Sequence, residues 1–245
     1  MKLYLENEDE VSSLSNVINE ISNSKKMFSN IVFETKPRKL YLDDIESMSF
    51  IILGDSLVGK TNFQNRFSDE FKEITISTIG TNRKTYYYKI GEDIMRIDLL
   101  DTAGQERFRN YTLSYCKNLN GIFLLFDVTN EETFNNLNSW LNGIKQKIKD
   151  DQIPIIYLIG TKIDFNNRVI SKDVAEKYAK SHGMKYFEIS CKYDINNFEV
   201  FNLMLLEAYK RNNLVKFRKL MARYKIKNEN DLMNNSLLLN KYINY

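Results

Sequence analysis

Phe50-Ile51-Ile52-Leu53 runs directly into Gly54-Asp55-Ser56-Leu57-Val58-Gly59-Lys60-Thr61, an apolar strand feeding a G-x-x-x-x-G-K-[ST] loop. This order constrains the chain more than any other feature, because the loop works only where a strand end and a following helix hold it. Its glycines let the backbone wrap a phosphate and turn successive N–H groups inward. The Lys60 ammonium reaches the outer phosphates, and the Thr61 hydroxyl can ligate Mg²⁺. The loop implies a nucleotide without saying which one. For eight residues in isolation the competing reading is a chance Gly turn between a strand and a helix.

Further motifs remove that reading. Residues 94–100 form a buried-strand pattern ending in Asp101-Thr102-Ala103-Gly104-Gln105-Glu106, which puts a carboxylate where a direct or water-mediated Mg²⁺ ligand is needed. An apolar strand at 154–159 precedes Gly160-Thr161-Lys162-Ile163-Asp164, and another at 185–189 precedes Ser190-Cys191-Lys192. From Met48 onward, apolar strands alternate with amphipathic helices, the pattern of an α/β fold with a parallel-rich sheet covered on both faces. Strands are predicted near 48–53, 84–90, 94–100, 121–127, 155–159 and 185–189. Helices are predicted near 59–67, 108–116, 131–149, 171–181 and 197–211. Every motif then lies in a loop at the C-terminal edge of the strands, where open α/β sheets bind ligands.

Over about residues 48–212 the motifs resemble those of small GTPases of the Ras superfamily, and most those of the Rab branch. Rab-like features are Gly-Asp-Ser opening the phosphate loop, Ser77-Thr78-Ile79-Gly80 in a first switch and Gln105-Glu106-Arg107-Phe108-Arg109 in a second. Phe134 and Trp140 also fall on a Rab-like helix. The resemblance implies a P-loop GTPase domain with a six-stranded, mostly parallel sheet whose second strand is antiparallel, using GTP/GDP and Mg²⁺. Residues 54–62, from Gly54 through Asp55, Ser56, Leu57, Val58, Gly59, Lys60 and Thr61 to Asn62, would hold the phosphates with Gly104. Thr61 and Thr78 would bind Mg²⁺ directly, and Asp101 would hold it through water. Thr78 would order the first switch only in the triphosphate state.

Hydrolysis of the γ-phosphate needs a positioned water and neutralised charge. Gln105 is implied to orient the water, with Lys60 and Thr78 as the other catalytic groups. No arginine finger in cis is evident, so the resemblance implies a GTPase-activating protein, alongside an exchange factor and effectors. Guanine selectivity needs a carboxylate facing two adjacent N–H donors of the base, a role implied for Asp164. Lys162 would lie along the base, Phe71 would stack on it, and the Ser190-Cys191-Lys192 loop would present the Cys191 amide to the exocyclic oxygen. Thr161 stands where the family usually has Asn, as in some Rho-like members, and its shorter side chain predicts modestly faster nucleotide release.

Other departures concern partners. Leu57 stands where a small residue is usual and either crowds the γ-phosphate or points away. Arg83 and Leu100 replace aromatics that in Rab proteins form an effector-reading patch with the aromatic kept here at Tyr115. They imply a different partner surface, or in the case of Arg83 an edge-strand arginine with no partner. His182, the only histidine, reads as a helix C-cap rather than a catalyst.

The 245 residues exceed one such domain, so the expected division is 1–46 as an N-terminal extension, 47–212 as the GTPase domain and 213–245 as a basic helical extension. In the first of these, Val11, Leu14, Ile18 and Ile21 recur at helical spacing, consistent with a helix packed on the domain or with a solvated segment. Leu214, Phe217, Leu220 and Met221 are spaced for a helix continuing from the domain. A net charge of +3 without a basic stripe interleaved with aromatics argues against a specific nucleic-acid partner. Cys116 and Cys191, far apart in sequence, give no disulfide framework. The absence of a membrane-span run and of a C-terminal cysteine, with Lys2 at the second position, predicts a cytoplasmic monomer without a lipid anchor. Any membrane contact is then peripheral, through a partner or the basic stretch 210–227. The expected function is a GTP/GDP switch in vesicle or membrane traffic; a GTP-binding scaffold with little turnover is the alternative.

Overall fold

The structure, a computed structural model, describes residues 45–67, 80–90, 93–105, 108–148 and 153–223. The helical pattern of Val11 to Ile21, Phe71, Thr78, Glu106, Arg107 and the residues beyond Arg223 lie outside them. The elements are β1 (Ser47–Leu53), α1 (Lys60–Arg66), β2 (Thr81–Ile90), β3 (Asp93–Thr102), α2 (Arg109–Leu113), β4 (Gly121–Asp127) and α3 (Glu131–Asn135). They continue as α4 (Leu137–Lys147), β5 (Ile155–Thr161), α5 (Lys172–Ser181), β6 (Lys185–Glu188), α6 (Asn197–Asn212) and α7 (Leu214–Arg223).

The strands form one six-stranded sheet in the order β2-β3-β1-β4-β5-β6. Among the described strands only the β2–β3 pairing is antiparallel. Because β1 has β3 on one side and β4 on the other, the chain leaves it at a switch point in strand order, and the phosphate-type loop occupies the crevice that such a point opens. All seven residues of β4 are buried, as expected of a parallel strand covered on both faces. On one face Phe50, Ile52, Phe123 and Tyr157 pack against Phe63 and Phe67 and against Phe201, Met204 and Leu205 of α6. On the other, Ile51, Leu53, Leu124 and Phe126 pack against Leu113, Trp140, Ile144 and Ala175.

Three helices differ from their sequence-based outlines. The predicted helix 131–149 is two helices broken at Asn136, whose side chain leaves the local backbone to donate to Asp55 Oδ2 at 2.7 Å. The one predicted at 108–116 shortens to α2, after which turn hydrogen bonds from Ser114, Tyr115 and Cys116 end it. The helix expected to continue past residue 211 stops at Asn213 (φ −134°, ψ 55°), whose Nδ2 donates to Glu46 Oε2 at 2.9 Å. The break turns α7 back so that Phe217 enters the core. Lys216 then bridges Glu46 at 3.3 Å and Asp93 at 3.0 Å.

Candidate functional site

The strand ends deliver the motif loops to one edge of the sheet. β1 ends at Leu53, β3 at Thr102, β5 at Thr161 and β6 at Glu188, so residues 54–61, 101–105, 161–164 and 190–192 lie in loops or strand ends on the same edge. Gly59 precedes α1 with φ 97°, a conformation that glycine adopts without strain, and its carbonyl accepts from Phe63 N–H at 2.9 Å. At Gly104 close approach is the constraint: a Cβ there would collide with Lys60 Nζ and the Asp55 carbonyl, so only glycine brings the two loops together.

Lys60 is buried, and its Nζ donates to the Asp55 carbonyl at 2.6 Å. Burial pushes its pKa down to about 8, against the pull of the Asp101 and Asp55 carboxylates. A phosphate group supplies the negative charge that such a cation favours. Thr61 Oγ1 donates to Asp101 Oδ2 at 2.6 Å, joining the end of the phosphate loop to the end of β3. Asp101 is 1% exposed. A hydroxyl and a carboxylate in contact at a phosphate loop suit Mg²⁺, which takes oxygen ligands, few of them from protein, and completes its shell with phosphate and water. Gln105 sits at the turn before α2, its carbonyl accepting from Phe108 N–H at 3.0 Å.

At the end of β5, Thr161 is buried, and its hydroxyl lies within hydrogen-bond reach of the Val58 carbonyl at 2.8 Å and the Phe126 carbonyl at 3.0 Å. The short side chain thus still ties this strand end to the phosphate loop. Lys162 has φ 62° and pairs with Asp127 at 2.5 Å. Asp164 Oδ1 accepts from Ser190 Oγ at 2.6 Å, which fixes the carboxylate against the neighbouring loop. The Cys191 thiol is buried and its pKa is pushed up to about 12 by that burial, leaving its backbone as the chemically available part.

Ser56, Leu57, Val58, Asn62 and Lys192 fall at the same edge. Leu57 takes φ 64° and is 68% exposed, so its side chain stands away from the core. Arg83 lies opposite Leu100 in the β2–β3 register; Leu100 is buried, whereas Arg83 is exposed and has a partner, Asp98 at 3.8 Å. Tyr115 is half-buried with its hydroxyl 2.6 Å from that of Tyr111. His182 caps α5, its Nδ1 2.9 Å from the Tyr178 carbonyl.

Sequence reasoning missed the residues that hold these loops. Arg66 reaches from α1 to the carbonyls of Cys191 and Lys192, the latter at 2.8 Å, and Asn197 Nδ2 donates to the Ser190 carbonyl at 3.0 Å. Asp127 carries the sequence signal of a carboxylate at the C-terminal end of a buried strand. Arg66 and Asn197 lie on helices and carry no local signal.

The comparisons agree with this geometry. The Ras family pattern matches residues 49–210. Ras-related protein Rab-8A of Bos taurus is 40% identical over 148 residues, 60% of this chain and 70% of that protein. Ras-related protein Rab-8B of Bos taurus is 39% identical over 62% of this chain and 73% of its own length. Ras-related protein Rab-10 of Caenorhabditis elegans is 38% identical over 60% and 73%. With its motif loops gathered at one edge of this sheet, and with these relatives, the chain belongs to the Ras family as a divergent, Rab-like member.

Proposed function

We propose that the chain is a GTP/GDP switch that hydrolyses GTP to GDP and phosphate and acts in vesicle or membrane traffic, with an exchange factor, a GTPase-activating protein and effectors as partners. The observation that carries this reading is the Thr61–Asp101 contact beside buried Lys60, with Asp164 held by Ser190 on the same edge. Thr61 and Asp101, with Thr78 as a further ligand, would hold Mg²⁺, which when bound neutralises phosphate charge. Lys60 and the loop amides bind the phosphates, Gln105 orients water, and Asp164 reads the two guanine N–H groups. Residues 47–212 form the switch, flanked by extensions at 1–46 and 213–245. No helix among the described residues is long and apolar enough to cross a membrane, and the contact proposed is peripheral.

The test is to denature the purified protein, identify the released nucleotide by chromatography and assay GTP hydrolysis. Released GDP near one per protein with turnover supports the switch, and failure to bind guanine nucleotide overturns it. Asp164→Asn is expected to move base preference from guanine toward xanthine; an unchanged preference places that role elsewhere.

A scaffold with little turnover is favoured by one observation: exposed Arg83 and buried Leu100 replace two aromatic anchors of a nucleotide-dependent partner surface. Equal capture of a partner by GDP-loaded and GTP-loaded protein would select it over the switch.

A further inference from the structure

Asp55 is the residue through which the phosphate loop grips the opposite helices. Its Oδ1 accepts from Trp140 Nε1 at 2.8 Å and from Arg109 Nη2 at 3.3 Å, and its Oδ2 accepts from Asn136 Nδ2 at 2.7 Å. Arg109 is held on its other sides as well. Its Nη1 donates to Ser139 Oγ at 2.7 Å, and its guanidinium carbon lies 4.7 Å from the centroid of the Trp140 ring. A flat cation is therefore clamped between a carboxylate of the phosphate loop and the face of a fully buried indole. The ion pair is mostly covered, with 13% of the Asp55 side chain and 21% of Arg109 exposed. An isolated surface pair would hold its geometry loosely, but stacking plus several hydrogen bonds fixes a planar guanidinium.

Arg109 is also the first residue of α2. The turn just before it is closed by the Phe108 N–H on the Gln105 carbonyl, and α2 itself is tied back by Thr112 Oγ1 donating to the Ala103 carbonyl at 3.2 Å. Where Arg109 sits thus constrains the turn that carries Gln105. The same aspartate faces the phosphate side through its backbone, since the Asp55 carbonyl accepts from Lys60 and abuts Gly104. A phosphate that draws Lys60 toward itself acts on the residue whose side chain holds Arg109.

We propose that Asp55, Arg109 and Trp140 form a positioning latch between the phosphate loop and the second switch, placing Gln105 for hydrolysis and responding to the nucleotide bound. The latch rests on the guanine-nucleotide switch reading. Arg109 is a positioning residue: it acts on water only through the turn it anchors.

Trp140 is the only tryptophan in the chain, so its emission reports the latch without labelling. The full-length protein is loaded with GDP or with a non-hydrolysable GTP analogue, and tryptophan emission, single-turnover GTP hydrolysis and affinity for a fluorescent GDP derivative are measured. In the wild type the emission is expected to differ between the two loaded states. Arg109→Ala is expected to abolish that difference and slow hydrolysis about tenfold, while GDP affinity changes by less than about threefold. Arg109→Lys, which keeps the charge without the planar face, is expected to recover only part of the rate and carries the same test should the alanine variant fail to fold. Identical wild-type emission in both states, or equal loss of affinity and hydrolysis in the variants, overturns the latch. Wild-type protein that does not bind the GDP derivative overturns the switch reading itself, whereas normal binding with an unresponsive Trp140 overturns the latch alone.

Discussion

Leu57 holds a backbone conformation that leucine tolerates badly. A left-handed φ costs a residue with a Cβ about 1–2 kcal/mol, and a side chain that is 68% exposed recovers little of it through burial. Leu57→Gly relieves that strain but gives the unfolded chain more freedom, so the expected net gain is about 0.5–1 kcal/mol, read as a higher urea midpoint. GTP hydrolysis by the same variant separates the two roles open to Leu57: a faster rate means crowding of the γ-phosphate, an unchanged one means that the side chain points away. In the proposed switch, Thr161 bears on the base end of the nucleotide. Its hydroxyl is the side-chain tie between β5 and the phosphate loop, so Thr161→Val leaves the Val58 carbonyl without that donor. Release of a fluorescent GDP derivative is expected to quicken about tenfold, the equivalent of about 1.4 kcal/mol. The motif positions were legible because each loop demands particular residue types. The ties that aim them, such as Arg66 on the Cys191 and Lys192 carbonyls, join positions more than a hundred residues apart and leave no local pattern.

At the level of elements, α7 shows most clearly what periodicity conveys and what it omits. The spacing of Leu214 and Phe217 correctly signalled helix, but the break at Asn213 depends on an acceptor, Glu46, supplied from before β1. The break at Asn136 likewise answers to Asp55, far away in sequence. Strands were placed closely because their apolar runs are bounded by loop motifs, whereas helix ends were set by partners that the local sequence does not name. Phe217 is 6% exposed and belongs to the core cluster that contains Phe201 and Tyr209, so α7 is integral to the described fold. Phe217→Ala is expected to cost about 3 kcal/mol in urea unfolding. A loss below about 1 kcal/mol would show that α7 docks only loosely.

Across the molecule, buried weak acids set the response to alkali. Burial is the first cause of the raised pKa values of seven cysteine and tyrosine groups: Cys116 and Cys191, each at about 12, and Tyr88, Tyr157, Tyr178, Tyr186 and Tyr209, all above the ordinary tyrosine value. Once the pH passes about 9 for cysteine and about 10 for tyrosine, the unfolded chain gives up protons that the folded one keeps, and stability falls. Lys60 works the other way: its folded value is lowered to about 8, so it adds stability as the pH rises toward 10.5. These raised groups outnumber Lys60 and Tyr115, whose value is lowered, and the urea midpoint is expected to drop between about pH 9 and 11. A flat midpoint over that range would mean that the hydroxyls and thiols titrate freely in the folded protein.

The position of β2 has a consequence for how the molecule behaves in a crowd. It pairs with β3 alone among the described residues, leaving ten residues of backbone along one margin of the sheet, with Tyr86-Tyr87-Tyr88 at their centre. Such a margin is a template on which a second chain can add a strand, the first step toward aggregation. Arg83, exposed and charged in this margin, is a residue of the kind that opposes such pairing, because a strand added there would have to strip water from its guanidinium.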